Sequence, residues 1–324
     1  MAKKVGVSEA TVSRVLNGKP GISEATRAAV LTALDVLGYE RPTKLRGERA
    51  RLVGLVLPEL GNPIFPAFAE VVAGALAKRG FTPVLCTRTA EGVSEADYVD
   101  MLLDQHVSGV IFAGGLYAQG DADHDHYHRL QERRLPAVLV NAAIDGINFP
   151  IVSADDAVAV RQAYLHLRSL GHERIGLVLG PEDHAPSARK FEAFSVLSGS
   201  TVEVERTIFS MEGGQAAAAR LVRRGITGIM CASDVLALGS IRAARRAGFA
   251  VPGDVSVIGY DDSMFMACTD PPLTTIRQPI EAMGQAVVSL LVDQVMGTGA
   301  PAEELFFETE LVVRGSTAPA RPRG

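Results

Sequence analysis

The chain lacks most of the features by which protein classes declare themselves. No stretch of its 324 residues approaches the roughly 20 consecutive apolar residues of a bilayer-spanning helix, so no membrane association is expected. No apolar leader follows Met1-Ala2-Lys3-Lys4; the next residues are rich in Ser, Glu and Thr, and a secretory signal is not expected, which points to a cytoplasmic protein. The three cysteines, Cys86, Cys231 and Cys268, are far apart and never in C-x-x-C spacing. That excludes a disulfide framework or zinc site and suggests reduced, buried thiols. Gly114-Gly115 has neither G-x-G-x-x-G nor Walker spacing, and neither a nucleophile elbow nor H-E-x-x-H occurs. No cofactor, metal or catalytic residue is therefore expected, and an enzyme is disfavoured. In the run His124-Asp125-His126-Tyr127-His128 the three histidines share a face only if the chain is extended, so an exposed loop is expected there. His172 reads as structural.

What is present is ample apolar material and an uneven charge. At 47% hydrophobic the chain is not disordered, and its length suits two or three domains. The net charge of −5 conceals a basic head. Residues 1–51 hold ten Lys/Arg against five acids, a net of +5, which leaves −10 on the remainder. A polyanion-binding module on a body with another task has this distribution, as does a solvated basic tail.

The head divides into short helices. Ser8 is a natural N-cap, and behind it Val12, Val15 and Leu16 form one stripe, with Ala10, Ser13, Arg14 and Asn17 opposite. After Gly18-Lys19-Pro20-Gly21, Ser23 caps a second helix with Val30, Leu34 and Leu37 on one face, stopped by Gly38. A turn at Gly6-Val7 followed by a small, polar helix face carrying Arg14 is a helix-turn-helix pattern. The run Val7-Ser8-Glu9-Ala10-Thr11-Val12-Ser13-Arg14-Val15-Leu16-Asn17-Gly18, followed by Ile22-Ser23-Glu24-Ala25-Thr26-Arg27, resembles the DNA-binding head of the LacI/GalR family of bacterial repressors.

That resemblance implies that Glu9, Ala10 and Arg14 face base edges, with Arg14 able to read guanine bidentately, while Ser8, Thr11, Ser13 and Asn17 hold phosphates. It also implies a hinge leucine that wedges into the minor groove. Leu45 sits where that leucine would be, although the stretch from Tyr39 is about three residues short and Pro42 forbids helix at the residue before it; a plain linker residue is the alternative. The first helix of the head would begin at Met1 without its opening turn, so either the native start lies upstream or the head is unusually thin.

From Leu52 the pattern alternates β-rich runs (52–57, 83–86, 109–112, 137–141, 175–179, 229–232, 255–260) with helical stretches (about 65–79, 94–106, 156–170, 188–197, 214–224, 234–247 and 280–296). Such alternation means doubly wound parallel sheets, and its repetition on both sides of Pro150 suggests two lobes with a ligand crevice at the strand C-termini. The segments Leu60-Gly61-Asn62-Pro63-Ile64-Phe65, 170–175, 232–239, Val255 to Asp262 and Pro271 to Pro279 also resemble the family, whose sensor has a periplasmic-binding-protein fold. The expected α/β architecture is a head at 1–38, a hinge at 39–51, an effector and dimerisation domain at 52–316 and a tail at 317–324. Within that domain the N-lobe is about 52–150 and 279–300, and the C-lobe about 151–278 and 301–316.

A sugar needs carboxylates and amides for its hydroxyls and an aromatic face for its C–H surface. Asp261 matches the family's ligand-binding aspartate; Asn62, Phe65, Asp155 and Phe209 map onto cleft positions, with capping, turn or core packing as the alternatives. Ser233 stands where the family has Asn, before Asp234. The family's ligand-clamping arginine falls at Lys190 by spacing, with Arg189 adjacent, and lysine is a point charge rather than a planar fork. The expected function is a homodimeric transcriptional repressor that binds a pseudo-palindromic operator and responds to a small effector, a carbohydrate first among candidates. The rival readings are a solute-binding protein that never touches DNA and a sugar-processing enzyme.

Overall fold

The computed structural model describes residues 5–16, 21–36, 51–88, 92–199, 202–299 and 303–321. The chain forms two compact units, Met1–Arg51 and Leu52–Gly324.

In the first unit, α1 (Glu9–Leu16) and α2 (Glu24–Val36) start where the sequence places caps. The Ser8 hydroxyl accepts from Thr11 N at 3.1 Å and that of Ser23 from Thr26 N at 3.2 Å, each satisfying an otherwise orphaned amide. Val12, Val15 and Val30 are buried together, with Val5, Val7 and Ile22 against them. Ser13 and Arg14 are exposed on the other face of α1. Asn17 and Leu45 lie outside the described residues, as do the side chains of Glu9 and Ala10.

The second unit holds two sheets. The first contains β1 (Arg51–Leu57), β2 (Phe81–Thr87), β3 (Gly109–Phe112), β4 (Ala137–Val140), β5 (Ile151–Ala154) and β11 (Glu304–Phe307) in the order β11-β5-β4-β3-β1-β2. The second contains β6 (Ile175–Leu179), β7 (Glu203–Arg206), β8 (Gly228–Cys231), β9 (Ser256–Asp261), β10 (Thr274–Arg277) and β12 (Glu310–Val312) in the order β12-β10-β9-β8-β6-β7. The orders correspond strand for strand. They differ at the last edge, where β11 runs parallel to β5 but β12 runs antiparallel to β10. Strands β3, β4, β6 and β8 are buried along their whole length, as expected when helices cover both faces of a parallel sheet.

Helices α3 (Ile64–Lys78), α4 (Glu95–Asp104) and α5 (Asp125–Glu132) cover the first sheet; α6 (Asp156–Ser169), α7 (Ala185–Ser198), α8 (Met211–Arg223) and α9 (Asp234–Arg246) cover the second. The late helix α10 (Ile280–Met296) returns to the first lobe, where Val287 and Leu291 pack with Val53, Leu55 and Leu57. Among the described residues the chain therefore crosses between lobes three times: from β5 to α6, from β10 to α10, and from β11 to β12.

Two expected boundaries move. Both β5 and β11 belong to the first sheet, because their Val152 and Leu305 pair in register; the crossovers fall near 155, 278 and 308 rather than at 150, 278 and 300. Residues 317–321 of the expected tail are built into the second lobe. Ala320 N donates to Leu170 O at 2.8 Å, and Ala318 O lies 3.1 Å from the buried His172 ring, which also meets Thr227 and Ser256.

Candidate effector cleft

In each sheet the strand order reverses beside the central strands β1 and β6, so the loops leaving β1 and β3, and those leaving β6 and β8, diverge and open a crevice. These four loops contribute Glu59 and Asn62, Gly114 and Gly115, Pro181 and His184, and Ala232 and Ser233 to a cavity of about 410 Å³ between the lobes. Across the cavity mouth, Gly120 N donates to Asp183 O at 3.0 Å and Gln119 bridges His184. Gly115 is required where it stands: its φ is +155°, and a Cβ there would lie 2.6 Å from Glu95 Oε2.

Asp261 ends β9 with φ of +122°, and Asp262 follows at +58°. A non-glycine pair in this region is held by its surroundings. Arg277 Nε at 2.7 Å and Arg314 Nη2 at 2.6 Å grip the two oxygens of Asp262, which turns the buried Asp261 carboxylate into the cavity. Asp261 accepts from Gln278 Nε2 at 2.7 Å and from Asn62 Nδ2 at 3.3 Å, so donors from a crossover and from the first lobe meet on one carboxylate of the second. Burial, reinforced by the nearby Asp234, pushes the Asp261 carboxyl well above the usual carboxylate range. Asp234 is itself pushed up to about 6, chiefly by burial.

Lys190, nearly buried, donates to Asp156 Oδ1 and stands 4.2 Å above the Tyr260 ring. A compact ammonium can sit on an aromatic face and beside a carboxylate at once, which is what the lysine in place of an arginine permits. His184 lies beside Ser187 Oγ at 3.0 Å and edge-on to Phe209. Burial, with Lys190 adding to it, lowers its pKa to about 4, so the ring is neutral at pH 7. Phe209 lies across Gly180, where a Cβ would come within 2.3 Å of its ring.

Among the expected effector residues, Asn62, Phe65, Lys190, Phe209, Ser233 and Asp261 line the cavity. Ser233 spends one lone pair capping α9, accepting from Leu236 N at 3.2 Å. Three stand elsewhere. Asp155 caps α6, accepting from Val158 N at 2.9 Å, and the carboxylate that faces the cavity is the next one, Asp156. Asp234 lies behind the wall, bonded to Ser263 and Thr275. Arg189 turns away toward Glu304. Sequence reasoning did not single out Asp156, Tyr260, Gln278 or His184. Asp156 and Tyr260 adjoin named positions, and which of two neighbours faces inward depends on helix and strand phase; Gln278 lies within a quoted segment but in a crossover, and His184 lies in the loop before α7, where no period guides the choice.

The histidine run is not an exposed loop. Residues Asp125–Glu132 are helical, and His126 and Tyr127 are buried against Glu95. The Glu95 carboxylate accepts from the Tyr127 hydroxyl, meets His126 Nε2 at 3.2 Å and accepts from Leu116 N at 3.2 Å, which anchors the loop after β3 beneath the cavity. Cys86 and Cys231 are buried, and burial raises their thiols to about 11 and about 12; Cys268 is exposed, against expectation. Among the described residues no group of three His, Cys, Asp or Glu is placed to hold a metal, and no helix is long and apolar enough to cross a membrane.

Residues 1–42 match the bacterial regulatory proteins of the lacI family, and residues 164–317 match a periplasmic binding protein-like domain. The HTH-type transcriptional regulator reg1 of Streptomyces lividans is 53% identical, over 99% of this chain and 96% of that protein. The structure of the transcriptional regulator CelR in complex with cellobiose is 32% identical, with a TM-score of 0.74 over 97% of this chain and 98% of that one. The lac repressor dimer bound to operator and the anti-inducer ONPF is 27% identical, with a TM-score of 0.73 over 98% and 97% of the two chains. With its helix-turn-helix unit, its two-lobed α/β body and a relative this similar over nearly its whole length, the chain belongs to the LacI family of bacterial transcriptional regulators, DNA-binding proteins with an effector-binding domain.

Proposed function

We propose that the protein is a cytoplasmic repressor that grips a pseudo-palindromic operator as a homodimer and changes its grip when a neutral carbohydrate fills the cleft. The observation that carries the effector class is the polar arrangement around Asp261. A buried carboxyl group, already oriented by two amides, faces a cavity flanked by Phe65 and Phe209, which matches a molecule with hydroxyl groups and apolar C–H faces. Charge supports neutrality. Lys190 is matched by Asp156, Arg88 has the acidic Glu59 near it, and His184 is uncharged, so the lining offers an anionic ligand little uncompensated positive charge.

The homodimer follows from geometry. One small head neutralises few phosphates, whereas two heads on a twofold axis meet two half-sites. The family's solved lac repressor is a dimer on its operator, and CelR holds cellobiose, which supports the same reading here. The protein acts on its ligand by binding, not turnover. For DNA the expected contacts are those of Arg14 and Glu9 to base edges and of Ser8, Thr11, Ser13 and Asn17 to phosphates, with Leu45 as a hinge wedge.

A thermal-shift screen of neutral sugars, sugar phosphates and nucleobases tests the effector class. A ligand at a hundredfold excess over its dissociation constant adds about 2.7 kcal/mol of stability. Stabilisation by a neutral sugar is expected, and stabilisation only by phosphorylated sugars or nucleobases would refute the carbohydrate reading. A gel-shift titration on upstream DNA with and without that sugar then tests control, because an effector that leaves operator affinity unchanged at saturation is not allosteric.

A further inference from the structure

Arg189 was expected among the ligand contacts, yet its guanidinium is engaged elsewhere. It projects from α7 of the second lobe, and two of its three partners belong to the first. Nη1 lies 2.7 Å from Glu304 Oε1 on β11, and Nη2 donates to the carbonyl of Asn141 at the end of β4. Nε lies 3.2 Å from Asp156 Oδ2 at the start of α6. Glu304 is held in turn by the Ser153 hydroxyl of β5. The fork donates to acceptors on two elements while its charge faces Asp156 on a third without a hydrogen bond from Nε, an arrangement a lysine cannot reproduce. The pairs are sheltered without being sealed: Asp156 is 5% exposed, Glu304 23% and Arg189 29%.

The remaining oxygen of Asp156, Oδ1, takes Lys190, the residue next to Arg189, and Lys190 faces the cavity. One carboxylate thus touches both a cavity cation and an inter-lobe cation. We infer that Arg189 is a positioning residue that braces the two lobes against each other through Glu304 and Asn141, and that Asp156 ties this brace to the effector cavity. The lobe angle then depends partly on an ionic contact the chain supplies itself. Whatever enters the cavity at Lys190 or Asp156 meets the carboxylate that steadies the brace. This goes beyond the assignment of a carbohydrate effector and does not require it.

The test measures lobe separation in the full chain without ligand. Cys268, exposed on the second lobe, takes one spin label, and Glu132→Cys on α5 of the first lobe takes the other; the buried Cys86 and Cys231 thiols are poorly reactive. Labelled chain diluted into unlabelled chain reports intrachain distances by pulsed electron resonance. Arg189→Gln and, separately, Glu304→Gln are expected to shift the distribution to longer and broader separations, with Arg189→Lys intermediate and Arg206→Gln like the parent. Salt at 1 M should move the parent toward Arg189→Gln and leave that variant where it is, because screening removes only an ionic brace. A merely structural role would lower thermal stability without moving the distances. A folded Arg189→Gln whose distribution superimposes on the parent overturns the inference. So does a shift in Arg189→Gln that Glu304→Gln does not share, and if Arg189→Gln fails to fold, Glu304→Gln alone decides.

Discussion

Gly239→Ala and Gly74→Ala are the same chemical change in two helices of one domain, and the structure gives them opposite signs. Gly239 sits in α9 where α8 crosses it. A Cβ there would lie 2.2 Å from the carbonyl oxygen of Met211 and 2.7 Å from the amide nitrogen of Gln215, both backbone atoms that no rotamer change can remove. The helices must separate by the better part of an ångström, and a radial gap of that size forfeits a quarter to a half of each dispersion contact along the crossing. Overpacking of this kind costs about 1–3 kcal/mol. At roughly 2–4 °C per kcal/mol, the melting temperature should fall by a few to about ten degrees. Gly74, in α3, has nothing within 4 Å of the same position. Alanine there removes only glycine's excess unfolded-state freedom and should stabilise by about 0.5–1 kcal/mol. Differential scanning calorimetry of the two variants beside the parent makes the measurement. Movement of both melting temperatures in one direction would refute the packing argument, since propensity alone cannot separate two helix-interior glycines. A loosened α9 should also displace Ser233 at its N-terminus and weaken ligand binding in the cleft, which Gly74→Ala should leave untouched.

Other substitutions probe the head, the cleft and the network beneath it. Arg14→Ala is expected to weaken cognate operator binding by roughly 1–3 kcal/mol and bulk DNA binding much less; equal losses in competition gel shifts would reject a base-reading role. His184 has its folded pKa depressed from 6.5 to about 4, so the unfolded chain binds its proton first, and the stability it contributes is complete above pH 6.5 and lost as pH falls from there toward 4. By pH 5 that loss is on the order of 2 kcal/mol. Denaturant titrations at pH 7.5 and 5 should therefore show a smaller fall for His184→Gln than for the parent, and an equal fall counts against the shift. Asp234 acts with the opposite sign: its raised value of about 6 makes the fold less stable as pH rises from about 4 to 6, which Asp234→Asn should remove. Glu95→Ala strands the Tyr127 hydroxyl and Leu116 N in a buried site, at roughly 1–3 kcal/mol for each; Glu95→Gln, which can still accept, should cost visibly less in urea melts.

Short-range chemistry was the legible part. The caps at Ser8 and Ser23, the apolar strands and the alternation of strand with helix announced a helix-turn-helix unit and doubly wound sheets, because each depends on neighbours a few residues apart. Asp261 was legible through its match to the family's ligand-binding aspartate, together with its place just after a buried strand. Which of two adjacent acids enters the cavity was not, because Asp155 is taken up by capping α6 and the helix phase then turns Asp156 inward.

By itself the sequence determined the local elements, the charge division between head and body, and the kind of ligand chemistry available, since propensity, capping and composition act along the chain. Only the tertiary structure decided that β11 returns to the first sheet, that His126 and Tyr127 bury against Glu95, and that Arg189 joins two lobes instead of facing a ligand. Those outcomes rest on residues far apart in the chain, such as Ser153 and Glu304 at a separation of 151, and a guanidinium or carboxylate carries no mark in the sequence of which distant partner will take it out of water.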